Sequence, residues 1–176
     1  MTMQQISPDL YQELRVLAKR LMRGERKDHT LSATDLFHEA YARLRPTLST
    51  VPDNIIVIRA LFAVTMRRLL IDYARKRSRR SKKLMRVGWN MEDFECLSNQ
   101  STEDELATKL LELDEAIVRL ANHYPTHARV VELKFFGGMS VVQCSEHLGI
   151  CKATTQRYWN FARAWISREL DRIALE

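Results

Sequence analysis

Apolar residues recur along the chain at spacings of three and four, which is the pattern of amphipathic helices. The first such stretch opens at Ser7-Pro8, a capping residue followed by proline at the first helical position, and it ends at Gly24. Strand-like alternation of apolar and polar residues is absent from the sequence. The pattern therefore predicts an all-α fold. The apolar positions of the first helix are Leu10, Leu14, Leu17 and Leu21.

Two further helices complete the N-terminal half. The second opens at Ser32, whose spacing to Asp35 is that of a capping box, and Pro46 is predicted to end it. The third runs from Ile55 to Lys83, and its far end is almost purely basic. Three helices with one apolar face each predict a small bundle. The inward positions are Leu36, Phe37, Ala40, Tyr41 and Leu44 on the second helix, and Phe62, Met66, Leu69 and Tyr73 on the third.

The C-terminal half begins with a helix predicted from Ser101 to Asn122, and a second one starts at Pro125 and ends at Gly137-Gly138. A short helix capped by Ser140 follows, and Gly149 breaks it. The last helix is predicted from Lys152 to Leu175. The apolar face of the first of these helices carries Leu106, Leu110, Leu113, Ile117 and Leu120.

The segment from Ser140 to Ser167 has the layout of a helix-turn-helix, with a tight turn at Gly149-Ile150-Cys151. Lys and Arg neutralise phosphates or bind guanine, and Gln and Asn can pair with an adenine edge. This mixture predicts a helix that reads the major groove, the alternative being a helical hairpin with a solvated polar face. The inward positions are Thr155, Trp159, Ala162 and Ile166, and the outward positions are Lys152, Thr154, Gln156, Arg157 and Asn160.

Charge is distributed unevenly along a chain whose net charge is only +6. The segment between Arg59 and Arg86 contains eleven basic residues and one acidic residue. The segment between Gly88 and Val118 contains nine acidic residues and one lysine. The basic run from Arg75 to Lys83 predicts contact with nucleic acid, the alternative being a solvated face. In the acidic stretch the helical spacing of apolar residues is lost, and the composition is that of an exposed connector. We place the domain boundary there.

Several functional classes are excluded by the sequence. No apolar run approaches the roughly 18 residues of a membrane span, and the polar start from Met1 to Gln5 is unlike a secretory signal, so we expect a cytoplasmic protein. Three irregularly spaced cysteines are expected to be reduced thiols.

No catalytic, metal or cofactor site is predicted either. His123 and His127 are four residues apart but interrupted by Pro125, and His38-Glu39 is an isolated pair. Gly137-Gly138 lacks the Lys-Ser/Thr of a phosphate-binding loop. We therefore expect a protein that is not an enzyme and that needs no cofactor.

Five stretches of the sequence resemble the bacterial extracytoplasmic-function (ECF) sigma factors of RNA polymerase. The resemblance implies that residues 1–87 form sigma region 2, which binds core polymerase and the minus-10 element. Residues 88–105 would be the linker, and residues 106–176 would be sigma region 4, which binds the minus-35 element. The matching stretches are Leu10–Leu14, His29–Leu44, Met66–Arg77, Ala128–Gly138 and Ala162–Trp165.

The resemblance also implies roles for individual residues. The polar residues of the last helix would read the minus-35 element. The sequence departs from the family in the apolar loop Ser49 to Ile58, and at Cys151, where a serine often caps the recognition helix. The residues implied for minus-10 binding are Arg67, Arg68, Arg75, Arg79 and Arg80, and those implied for polymerase binding are Asp35, Leu36, His38 and Glu39.

The implied partners are core RNA polymerase, promoter DNA and an anti-sigma factor. Because the acidic patch of the second helix is thin, phosphorylation of Thr34 by a Ser/Thr kinase is a hypothesis for negative charge at the helix start, the alternative being ordinary capping by Ser32 with Thr34 simply exposed in the first turn. Two other classes stay open. One is a stand-alone helix-turn-helix regulator that binds operator DNA, and the other is a helical adaptor of the anti-sigma type.

Overall fold

The structure is a computed structural model that describes residues 6–22, 32–51, 53–80 and 102–175. Within these ranges the chain is all-α, as predicted, and it forms seven helices without a strand. None of them is both long and apolar enough to cross a membrane. The helices are α1 (Pro8–Leu21), α2 (Ala33–Leu48), α3 (Ile55–Arg80), α4 (Glu103–His123), α5 (Pro125–Phe135), α6 (Val141–Leu148) and α7 (Lys152–Leu175).

Local capping chemistry fixes where the helices begin. The Ser7 side chain accepts a hydrogen bond from the amide of Leu10 in front of α1. Ser32 and Ser140 form the predicted capping boxes with Asp35 and Gln143. A third box, between Thr102 and Glu105, starts α4 at Glu103, two residues later than predicted.

The prediction that Pro46 ends α2 is wrong, because the helix continues through Pro46 to Leu48. Proline lacks an amide hydrogen and disfavours a helix interior, but here it lies in the last turn. The side chain of Ser49 donates to the carbonyl of Pro46 at 2.7 Å, and Thr50 donates to Thr47 O at 2.8 Å. Burial of Leu48 adds a hydrophobic reason for the extra turn. The predicted helix ends at Gly24 and Lys83 lie outside the described residues.

The N-terminal helices bury the predicted apolar faces against one another. Phe37 of α2 and Phe62 of α3 are fully buried and stack with their ring centroids 5.9 Å apart, and Tyr11 of α1 meets the edge of Phe37 at 4.8 Å. Such aromatic pairs add stability beyond the area they bury. Tyr41 and Tyr73 are half-buried at the border of this core.

The C-terminal helices form the predicted helix-turn-helix on a support of α4 and α5. Gly149 ends α6 in the left-handed conformation, with φ of 65°, which a residue without a Cβ adopts without strain. The amide of Ile150 donates to Ser145 O at 3.2 Å and closes the turn. All five apolar positions predicted for α4 are buried.

The two groups of helices also pack against each other, since α3 contacts α4, α5 and α6 and the larger of two hydrophobic clusters includes residues of both groups. Gly137 lies against α3: a Cβ at this position would lie 3.0 Å from the Cβ of Ala63 and 3.4 Å from Arg59 O. The predicted end of the linker at residue 105 lies inside the first turn of α4, and residues 88–101 lie outside the described ranges. The division into domains 1–87 and 106–176 stays a prediction.

Candidate nucleic-acid interface

The two faces of α7 are arranged as the spacing predicts. Thr155, Ala162 and Ile166 are fully buried, and Trp159 packs half-buried against the core. On the opposite face the outward residues are exposed except Thr154, which is half-buried. The tertiary structure therefore leaves the polar face open to solvent. The exposed members of this face are Lys152, Gln156, Arg157 and Asn160.

The polar face of α7 is ordered by bonds within the helix itself. Gln156 Nε2 donates to Asn160 Oδ1 at 2.8 Å, and Arg157 Nη2 donates to Thr154 Oγ1 at 3.2 Å. Exposed bonds of this kind contribute little net stability, since water competes for the same groups. They can be exchanged for base edges or phosphates at small energetic cost.

A cluster of aromatic rings packs α7 against α5. The sequence pattern did not predict it. His127 of α5 lies 3.9 Å from Tyr158 and 5.0 Å from Phe161, measured between ring centroids, and Tyr124 meets Phe161 at 4.9 Å. Burial lowers the pKa of His127. The sequence suggested His127 only as a metal pair with His123, and no local pattern indicated the cluster, because Tyr158 and Phe161 lie more than 30 positions from His127. Among the described residues no group of three His, Cys, Asp or Glu is placed to hold a metal ion.

Cys151 occupies the cap position in front of α7. Its carbonyl accepts the amide of Thr155 at 3.0 Å, and its Sγ lies in a hydrogen bond with Thr154 Oγ1 at 3.2 Å. That side-chain bond, followed by the backbone amide of Thr154, lowers the pKa of the exposed thiol. A sulfur atom thus takes the place of the hydroxyl oxygen that caps α6 at Ser140.

The five arginines of α3 predicted for the minus-10 element do not share one environment. Four of them are exposed, whereas Arg67 is turned toward the C-terminal helices. Arg67 donates from Nε and Nη2 to Asp114 Oδ1 at 3.0 and 2.8 Å, and from Nη1 to Glu132 Oε1 at 3.2 Å. Arg67 is therefore not available to DNA in this arrangement. The exposed four are Arg68, Arg75, Arg79 and Arg80.

Part of the acidic stretch serves as the partner of the basic helix. Arg77 pairs with Glu103 at 3.0 Å and with Asp104 at 2.5 Å, and Tyr73 donates to Glu103. The bond to Asp104 is the main cause that raises the pKa of Arg77, while burial, followed by the bond to Glu103, raises that of Tyr73. The acidic residues were interpreted as a connector alone, but those in the first turn of α4 also form ion pairs with α3.

The α2 residues predicted for polymerase binding are mostly exposed, but Leu36 is fully buried in the core and cannot contact a partner in this arrangement. Its place in the inward repeat of α2 already indicated this. Asp35 Oδ2 accepts the amide and hydroxyl of Ser32, and the hydroxyl bond is the main cause that lowers the pKa of Asp35. Glu39 pairs with Arg43 at 3.0 Å.

A cleft of about 630 Å³ lies at one side of the packed pair α2 and α3. Asp35, His38 and Glu39 line one wall, while Lys76 and Arg80 lie on the other. The α2 surface is therefore one side of a groove of mixed charge. Thr34, predicted for phosphorylation, is half-buried in the first turn of α2.

Comparison with known proteins gives one match. The family model described as ECF sigma factor matches residues 2–172 of the 176-residue chain. No curated protein matches, and no solved structure matches. The kinase expected to act on Thr34 finds no support in the family match.

Proposed function

Since the chain belongs to the ECF sigma factor family, whose members are transcription initiation factors and not enzymes, we propose that it is an alternative sigma factor for specific promoters. In this proposal it binds core RNA polymerase and brings it to promoter DNA. Family membership favours this function over a stand-alone operator-binding regulator and over a helical adaptor.

The observation that carries the proposal is the exposed polar face of α7 behind the tight turn at Gly149. A helix of this kind enters the major groove with its N-terminal residues toward the base edges. Arg157 lies in the second turn of α7, where it can bind guanine, and Gln156 and Asn160 can pair with adenine. These residues, with Lys152 and Thr154, are proposed to bind the minus-35 element.

The proposal assigns the exposed arginines of α3 to the region of the minus-10 element. Arg68, Arg75, Arg79 and Arg80 are available for phosphate contacts, which position a protein on DNA without reading its sequence. The exposed side chains of α2, Asp35, His38 and Glu39, are proposed to bind core polymerase. An anti-sigma factor, frequent in this family, is the expected regulator.

The first experiment tests the function as a whole. Holoenzyme reconstituted from core polymerase and the full chain is used to select promoters from a random DNA library. We expect selection of one consensus with two boxes and initiation downstream of it. If the chain fails to bind core but selects an operator alone, the stand-alone regulator is the correct function.

A second experiment tests the reading helix through three alanine variants in the holoenzyme. Arg157→Ala is expected to cost about 1–3 kcal/mol at particular base pairs of the minus-35 element, because a base contact carries sequence information. Lys152→Ala should weaken binding to all sequences alike and lower the salt slope. Arg168→Ala is the control, since Arg168 is an exposed arginine about 16 Å further along the same helix. Equal effects of Arg157→Ala and Arg168→Ala on every sequence would refute the assignment.

A further inference from the structure

A second cleft, also of about 630 Å³, lies where α3 meets α2, α4 and α5. Pockets for small molecules occupy about 300–1,000 Å³ and are lined mainly by apolar side chains. This cleft has the size of such a pocket but a different lining, since five of its ten described lining residues are arginines. Arginine is the residue best suited to bind carboxylates and phosphates, so the lining favours an anionic ligand. The five are Arg43 of α2, Arg67, Arg68 and Arg75 of α3, and Arg129 of α5.

Three carboxylates also line this cleft, and two of them are bound by arginines. Arg67 binds Asp114 and Glu132, and the three side chains are only 18%, 16% and 13% exposed. Arg129 pairs with Glu132 as well. The third carboxylate, Asp72, forms no hydrogen bond or ion pair with the described part of the chain. Five guanidinium groups against three carboxylates leave the cleft with a net charge of +2.

This remaining positive charge lies on exposed arginines. Arg68 forms no hydrogen bond or ion pair within the described residues, and Arg75 lies 3.7 Å from Asp114 Oδ2, beyond hydrogen-bonding distance. Arg43 donates from Nε to Glu39 at 3.0 Å, a bond that does not use its two Nη groups. Each of these guanidinium groups therefore has donors for phosphate oxygens, which such a planar group binds through two parallel hydrogen bonds.

The spacing of the exposed arginines favours two adjacent phosphates over a single one. Arg68 and Arg75 are seven residues apart on α3, which is two turns and about 10.5 Å along the helix axis. They lie on the same face, and Arg43 reaches the cleft from α2. Val64 and Ile71, on the same stretch of α3, add an apolar part to the lining. The cleft thus offers separate guanidinium groups for two phosphates and room for an attached organic group.

We propose that this cleft is a binding site for a small molecule that carries two adjacent phosphates. Arg68 and Arg75 bind the phosphates from α3, and Arg43 binds them from α2. Arg67 and Arg129 stay paired with their carboxylates and hold the wall of the cleft in place. The site is independent of the proposed function, because the free chain forms it.

The test is isothermal titration calorimetry of the full chain with inorganic pyrophosphate, without divalent cations. At about 0.15 M salt the attraction between exposed charges more than about 8 Å apart is largely screened, so general attraction to a basic chain is suppressed. We expect saturation at about one pyrophosphate per chain, and orthophosphate should bind at least about tenfold more weakly, because it cannot bond to both ends of the site. Arg68→Gln, Arg75→Gln and Arg43→Gln should each raise the Kd for pyrophosphate about tenfold.

The matched control is Arg79→Gln, which removes the same charge from an exposed position of α3 outside the cleft lining. All four substitutions are at exposed positions, so circular dichroism should show unchanged helices. An equal loss of affinity in Arg79→Gln and Arg68→Gln would mean that basic charge in general attracts the anion, and the site would be refuted. Absence of saturable pyrophosphate binding would refute it too, including the case in which only a short DNA duplex binds.

Titration with ADP distinguishes the two sources of a diphosphate unit. Tighter binding of ADP than of pyrophosphate would identify the ligand as a phosphorylated organic molecule that contacts Val64 and Ile71. Equal or weaker binding of ADP, with pyrophosphate saturating the site, would identify the inorganic diphosphate as sufficient. In both cases the loss of affinity in Arg68→Gln is the signature of the site.

Discussion

Two long helices of this protein, α3 with 26 residues and α7 with 24, carry basic residues on a polar face, yet they present them differently. On α3, Arg67 and Arg77 bind carboxylates of α4 and α5. On α7, the bonds of Gln156 and Arg157 stay within the helix and are exposed. A basic residue is thus a candidate for DNA contact where its side chain stays exposed, and not where a neighbouring helix binds it to mostly buried acids. Charge along the sequence cannot make this distinction, because it does not show which helices become neighbours.

The physical cause of the difference is the position of each helix in the fold. α3 is central and contacts helices of both halves, so only part of its surface reaches solvent. α7 packs one face against α4, α5 and α6, and the opposite face of its N-terminal turns stays exposed. Hydrogen bonds to charged groups that are mostly buried contribute about 1.5–3 kcal/mol, whereas exposed pairs contribute about 1 kcal/mol or less.

The largest expected effect on stability comes from removing the buried ring of Phe62, which packs α3 against α2. Phe62→Ala should lower the free energy of unfolding by about 3–5 kcal/mol, because it deletes a fully buried ring stacked on Phe37 and leaves a cavity. Urea titration followed by circular dichroism measures this loss. Phe62→Leu serves as the control and should retain most of the stability. A loss below about 1 kcal/mol for the alanine variant would contradict the described core.

A smaller effect separates two adjacent arginines of α3. Arg67→Ala should lower the free energy of unfolding by about 1.5–3 kcal/mol, because Asp114 and Glu132 lose a shared partner while remaining mostly buried. Arg68→Ala, at an exposed position, should change it by less than about 0.5 kcal/mol. Equal urea midpoints for the two variants would show that the ion pairs do not form in solution.

The smallest effect concerns the two described thiols, at Cys144 in α6 and Cys151 before α7. Burial raises the pKa of Cys144 to about 11, whereas the bond to Thr154 lowers the pKa of Cys151. Since the thiolate is the nucleophile, Cys151 should react with iodoacetamide at pH 8 at least about tenfold faster than Cys144. Mass spectrometry of a Cys96→Ser background follows the two sites.

The control for this thiol experiment is Thr154→Val, which removes the hydroxyl partner of Cys151. The variant should raise the pKa of Cys151 and slow its alkylation while leaving Cys144 unchanged. Equal rates at both cysteines of the parent protein would mean that Cys144 is not buried in solution.

Much of the local structure could be predicted because its causes are local. Ser32 and Ser140 cap helices through residues three positions away, and Gly149 breaks α6 through its own backbone conformation. The helix end predicted at Pro46 is wrong, since the side-chain bond of Ser49 and the burial of Leu48 compensate for the missing amide. The inward face of α7 could also be predicted, because helical periodicity places Thr155 and Ile166 on one side.

The sequence by itself determined the all-α class, most of the helix limits that fall within the described residues and the polar composition of the α7 face, because these depend on residues within one or two turns of each other. Only the tertiary structure decided that His127 stacks on Tyr158. It also decided that Arg67 binds Asp114, a residue 47 positions away. Such pairings depend on how whole helices pack, and many arrangements of the same amphipathic helices satisfy the same local pattern.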